Sequence, residues 1–110
     1  NELMTARIYR IITADENGNF RPDDPITREE LAVILVNTLK AVGKPLPTYS
    51  LSMLNKYMDR DQISSNAVSS ILSLIGEGIM NGRSDDILAP KDTATRAEAA
   101  LMLYKVIDRN

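Results

Sequence analysis

Apolar residues recur at helical spacing in three stretches of the chain. Leu31, Ile34, Leu35, Leu39 and Val42 make one stripe, Ala67, Ile71, Leu74 and Ile75 a second, and Ala99, Met102, Leu103 and Val106 a third. Positions three and four apart share one face of an α-helix, so each set predicts a helix with a single buried side. A fourth set, Leu3, Met4, Ala6, Ile8, Ile11 and Ile12, predicts the end of another helix over residues 1–12, with no cap before it. No stretch reads as a strand. The pattern predicts an all-α protein.

Polar residues, glycines and prolines punctuate these stripes. Thr27 is placed as an N-cap with Glu30 at N3, a capping box, and Ile26 and Leu31 flank it as a hydrophobic staple. Gly43 and then Pro45 end that helix after about four turns. Ser64 and Ser65 offer caps for a helix running to about Gly76, and Leu51–Met58 has the composition of a short helix within a connector. Asp15-Glu16-Asn17-Gly18-Asn19 predicts a turn, and Arg21-Pro22-Asp23-Asp24-Pro25 an extended, proline-stiffened approach to Thr27.

The segment Thr27-Arg28-Glu29-Glu30 recurs as Thr95-Arg96-Ala97-Glu98, an offset of 68 residues. The same offset superposes Pro22 on Pro90, Asp24 on Asp92, Phe20 on Leu88 and Ile12 on Met80 without a gap. The chain is therefore an internal repeat, and repeat proteins generally bind rather than catalyse. Thr95 and Glu98 predict a second capping box, opening a helix from about Arg96 to Ile107, with Ala94 as a weaker staple than Ile26.

Composition narrows the function. At 110 residues the chain can build one modest core. A net charge of −2 gives no field that would draw it to nucleic acid. The absence of Cys and His removes thiol and imidazole chemistry and nearly every transition-metal ligand set, so neither an enzyme nor a cofactor is expected. No apolar run approaches the roughly 18 residues of a membrane span, and no signal-peptide pattern opens the chain. Beginning at Asn1 inside a helical pattern, it reads as a fragment of something longer.

The string from Asn17 to Ala32, NGNFRPDDPITREELA, resembles the signature of S-layer homology repeats, whose hallmark is the Thr-Arg-Ala-Glu segment found here at residues 95–98. Tyr57 to Ala67, and Gly78 to Gly82, are similar to the opening and middle of such a repeat. The resemblance implies a first repeat over residues 1–43 with its start truncated, a connector over 44–56 and a second repeat over 57–110. It further implies tandem helix-loop-helix units packed as part of a pseudo-threefold helical bundle, with grooves that bind pyruvylated secondary cell wall polysaccharide. Such modules attach proteins to the bacterial cell surface. The sequence departs from the pattern at Asn66, where the family has Trp, and at Asp85-Asp86-Ile87-Leu88, where it has a glycine-containing turn.

Arg28 and Arg96 stand at N1 of their helices, where a cation faces the positive end of the macrodipole at a cost of about 0.3–1 kcal/mol. On the functional reading, each guanidinium joins free helix N–H groups in an anion site that grips the carboxylate of a pyruvyl ketal. On the structural reading each makes a local ion pair, Arg28 with Asp24 or Glu29 and Arg96 with Asp92. Tyr57 is the first candidate among Tyr9, Tyr49, Tyr57 and Tyr104 to line a sugar groove. Lys91 is a further candidate to supplement anion binding, while Thr27, Glu30, Thr95 and Glu98 are read as capping residues. Asp15, Asn17 and Asn19 do not complete a calcium loop, because Phe20 and Ile26 stand where its Gly and Glu belong, so no metal is expected.

The expected function is non-covalent anchoring of a surface protein to an anionic wall glycan. The alternative is a structural assembly module of the surface layer without glycan. A homo-oligomer, or pairing with a third repeat, is expected to cover apolar surface left by two repeats of a three-lobed bundle.

Overall fold

The computed structural model describes residues 26–108, with the side chain of Arg96 excepted. The predicted helix over 1–12, the turn and proline approach that follow it, Tyr9 and Asp24 lie outside the described residues. Three α-helices carry the described fold: α1 (Arg28–Ala41), α2 (Val68–Gly76) and α3 (Arg96–Asp108). Short 3-10 turns occupy Leu51–Leu54, Arg60–Gln62 and Ser65–Ala67. The only β-type pairing among these residues is an isolated antiparallel bridge between Thr27 and Thr93, so the protein is all-α.

α1 begins where its sequence says it should. The Thr27 hydroxyl accepts from the Glu30 N–H at 3.1 Å, and the Glu30 carboxylate accepts from the Thr27 N–H at 2.8 Å. At the other end Gly43 adopts φ +79°, its N–H donates to Lys40 and the Lys44 N–H donates to Leu39. This Schellman closure satisfies carbonyls that the helix leaves open. α2 ends the same way, with Gly78 at φ +73° and the Ile79 N–H donating to Leu74. α3 repeats the reciprocal cap of α1, between Thr95 and Glu98, at 2.8 and 3.0 Å.

Between the helices the structure is shorter in regular elements than the apolar pattern predicts. The helix expected over Leu51–Met58 is one 3-10 turn, Leu51–Leu54. Tyr57 still donates to Leu54, but the Met58 N–H turns away to Asp86, 2.8 Å distant, and the helical ladder stops. Ser64 does not cap the helix after it, because its hydroxyl is committed elsewhere.

One core serves both copies of the repeated motif. Leu31, Leu35 and Leu39 from α1 meet Ile71, Leu72 and Leu74 from α2, and Met102 and Val106 from α3 join the same cluster. Tyr57, Ile79, Met80 and Leu88 fill it from the loops. α2, which leads into the second motif, lies against α1, the helix of the first. Each fully buried aliphatic side chain contributes about 1.5–3 kcal/mol, so the two motifs fold as a unit rather than as beads. The Ser73 hydroxyl donates to Pro47 at 2.9 Å, fastening the proline-containing connector across α2.

Candidate functional site

The seam between the two motifs is built at the first turn of α1. The loop 81–94 folds back along it: the Ala94 N–H donates to Ile26 at 2.8 Å, the Arg28 N–H to Asp92 at 2.9 Å and the Glu29 N–H to Pro90 at 3.0 Å. With Glu30 capped by Thr27, the helix start that was expected to offer free N–H groups to an anion has given them to loop carbonyls. Arg28 and Glu29, adjacent in sequence, then project to opposite sides of the seam and organise two charged clusters.

Arg28 is 5% exposed. Its guanidinium donates to the carbonyls of Leu88 and Asn81, and its Nε lies 3.3 Å from Glu98. Burial lowers the pKa of this group, while Glu98 beside it acts to raise it. Glu98 in turn accepts from Arg83 at 2.9 Å, and Arg83 reaches Thr93 and Asp92. The sequence offered Asp24 or Glu29 as ion-pair partners for Arg28; Asp24 lies outside the described residues, and among the described residues the ion-pair partner is Glu98, brought in by α3. Arg28 is thus an inter-motif clamp, buried and bound to the loop at Asn81 and Leu88 and to Glu98 of α3. Asp92, the partner offered to Arg96, lies 3.7 Å from Arg83 Nε, and the Arg96 side chain lies outside the described residues.

Glu29 anchors the second cluster. Its carboxylate accepts from the Ser64 N–H at 3.0 Å, from the Ser64 hydroxyl and from Lys91 Nζ at 2.9 Å. Lys91 also donates to the Ser64 hydroxyl. Burial alone would raise the Glu29 pKa, but the Ser64 and Lys91 bonds outweigh it and hold the carboxyl below its usual 4.5. The Glu29 side chain is 8% exposed and that of Lys91 51%, so Lys91 presents a cation to solvent at the mouth of a closed carboxylate site. Asn66, on the 3-10 turn that follows Ser64, is exposed.

Tyr57 does not line a groove. It is 2% exposed and lies beneath the loop, so close to Gly82 that a β-carbon there would come within 2.7 Å of its ring. Lys56 caps the ring from outside at 5.1 Å. Tyr104, by contrast, is exposed on α3. Among residues the sequence did not single out, Asp59 holds the loop in shape, accepting from the N–H groups of Leu88 at 2.9 Å and Ala89 at 2.8 Å. Ala89 has φ +57°, an unusual conformation for a side-chain-bearing residue that these two bonds help to fix. Burial acts to raise the Asp59 pKa, yet the backbone bonds and nearby Arg28 bring it below its usual 3.8.

No cluster of acidic residues among those described could hold a metal ion, and no described helix is long and apolar enough to cross a membrane. What the seam does chemically is hold cations and hydrogen-bond donors in fixed positions around two carboxylates, Glu98 and Glu29.

Comparison with known proteins gives the same reading of class. The model of the S-layer homology domain matches residues 8–32 and 56–100, more than half of the chain. The chain is 32% identical over its whole length to part of an exoglucanase, XynX, of Acetivibrio thermocellus, and 32% identical to part of an amylopullulanase of Thermoanaerobacterium thermosulfurigenes. It spans 10% and 6% of those proteins' lengths. No solved structure matches significantly. The chain belongs to the S-layer homology domain family, whose members are non-catalytic modules of cell-surface anchoring.

Proposed function

We propose that this chain anchors a larger protein to a bacterial cell surface by holding an anionic secondary cell wall polysaccharide at the seam between its two motifs. The observation that carries the reading is Lys91: a half-exposed ammonium, fixed by Glu29 and Ser64 where the loop of the second motif crosses the helix of the first. An ammonium has three N–H donors, and Glu29 and Ser64 take two. The third is available to the carboxylate of a pyruvyl ketal, and Ser65 and Asn66, which follow Ser64 in the sequence, are exposed. Arg28 serves the same end indirectly, by clamping the loop that carries Lys91. The relatives are, by name, polysaccharide-degrading enzymes far longer than this chain, which suits a module that tethers catalytic parts.

A second reading, an assembly module without glycan, is favoured by one observation. Leu101 and Tyr104 are exposed on α3, whereas Val33 and Val36, their counterparts 68 residues earlier on α1, pack against the core. That face of α3 suits a second copy of the chain or a further repeat.

Co-sedimentation separates the two readings. The chain is expected to pellet with purified Gram-positive walls and to stay in solution with walls stripped of their acidic polysaccharide. Equal pelleting with both, or with neither, contradicts glycan anchoring.

A further inference from the structure

The two copies of the repeated motif differ at one position of their signature, Glu29 against Ala97. The surroundings of Glu29 show what that difference does. Its carboxylate sits 8% exposed and receives a backbone N–H, a hydroxyl and an ammonium, all from the other side of the seam. A main-chain N–H, a hydroxyl and a cation converging on one carboxylate are the parts of a built carboxylate receptor. None of the three donors belongs to α1, and none is needed to form it.

We infer that Ser64 and Lys91 form a carboxylate-binding seat at the seam, that Glu29 fills it as a built-in occupant, and that replacing Glu29 by the Ala of the second motif opens it to free small carboxylates. The seat takes a monoanionic carboxyl group, such as acetate or pyruvate, in the position of the Glu29 Oε atoms. Glu29 thus sets the affinity of the seam for acidic ligands by competing from within, at an effective concentration that a free anion reaches only when abundant. The carboxyl group's depressed pKa accords with this, since the donors stabilise its charged form despite burial. The inference stands without the wall glycan, because its probe is a small anion.

The test is thermal unfolding and calorimetry of the intact chain in increasing sodium acetate and sodium pyruvate. Wild type is expected to show no saturable response. Glu29→Ala is expected to gain saturable heat in the calorimeter and a rise of roughly 6 °C in Tm at about ten times Kd, and to lose both in Glu29→Ala/Lys91→Ala. Ala97 opens α3 in the same setting, so the substitution suits a helix start. Should Glu29→Ala fail to fold, Glu29→Gln leaves the Lys91 charge unpaired within an isosteric side chain and is expected to gain a weaker, Lys91-dependent response. Folded variants with no saturable response overturn the inference, as does a saturable response of equal size in wild type. Wall co-sedimentation of the wild type is independent of either result, so failure of the seat and failure of the anchoring reading are read separately.

Discussion

At the scale of single residues, the two neighbours Arg28 and Glu29 decide how the motifs meet. Arg28 is the more consequential for stability, because its removal strands the carbonyls of Leu88 and Asn81 and leaves Glu98 short of a partner. Arg28→Ala is expected to lower unfolding free energy by about 2–4 kcal/mol in urea titration. Lys91→Ala, at a half-exposed position, is expected to cost less than about 1 kcal/mol and to leave the fold intact. Equal losses from the two would contradict the division into a clamp and a ligand-facing cation. Glu29 and Asp59 set the response to acid. Both have folded pKa values below the usual 4.5 and 3.8, so each adds stability at neutral pH. That stability begins to fall as the pH drops past those usual values, and it is gone once the folded groups protonate. Unfolding followed from pH 7 to pH 2 is expected to show a falling Tm below about pH 4.5, with a smaller fall in Glu29→Gln.

At the scale of elements, caps and glycines do the punctuation. Gly43 and Gly78 have positive φ and open space where a β-carbon would stand, so Gly43→Ala and Gly78→Ala are expected to cost about 1 kcal/mol each through backbone strain alone. Gly82→Ala differs in kind, since its β-carbon would press on backbone oxygens of Ser84 and Ile87 as well as on Tyr57. It is expected to shift the loop and loosen Lys91. The helices were legible in the sequence because stripe, cap and closing glycine are local signals: the positions of α1 and α3 follow from Thr-x-x-Glu and the apolar residues after it. The connector was less so. Whether Leu51–Met58 continues as a helix depends on Asp86, nearly thirty residues away, taking the Met58 N–H.

At the scale of the molecule, the repeat is visible in the letters but its consequence is not. An offset of 68 residues announces two related units. It does not say that α2 packs on α1, that the loop 81–94 takes over the N–H groups of α1, or that Glu98 crosses to Arg28. Each partner that makes Arg28 a clamp, among Asn81, Leu88 and Glu98, is more than fifty residues distant, beyond the reach of spacing arguments. Tyr57 was misread for the same reason, since only the folded loop reveals that its ring is covered. The asymmetry between Glu29 and Ala97 was legible, and gained meaning only when Ser64 and Lys91 appeared around it. The exposed Leu101 and Tyr104 carry a prediction at this scale: light scattering is expected to show concentration-dependent association that Leu101→Lys/Tyr104→Lys suppresses without loss of helicity. Association unchanged by that double substitution would place the contact elsewhere. On the proposed function, the seam is the place where the wall is held. Calorimetric titration of a pyruvylated wall disaccharide into the wild-type chain and into Lys91→Ala examines it directly: saturable heat that weakens at least about tenfold in the folded variant is the predicted result, and binding unaffected by Lys91→Ala, or no binding by the wild type, contradicts it.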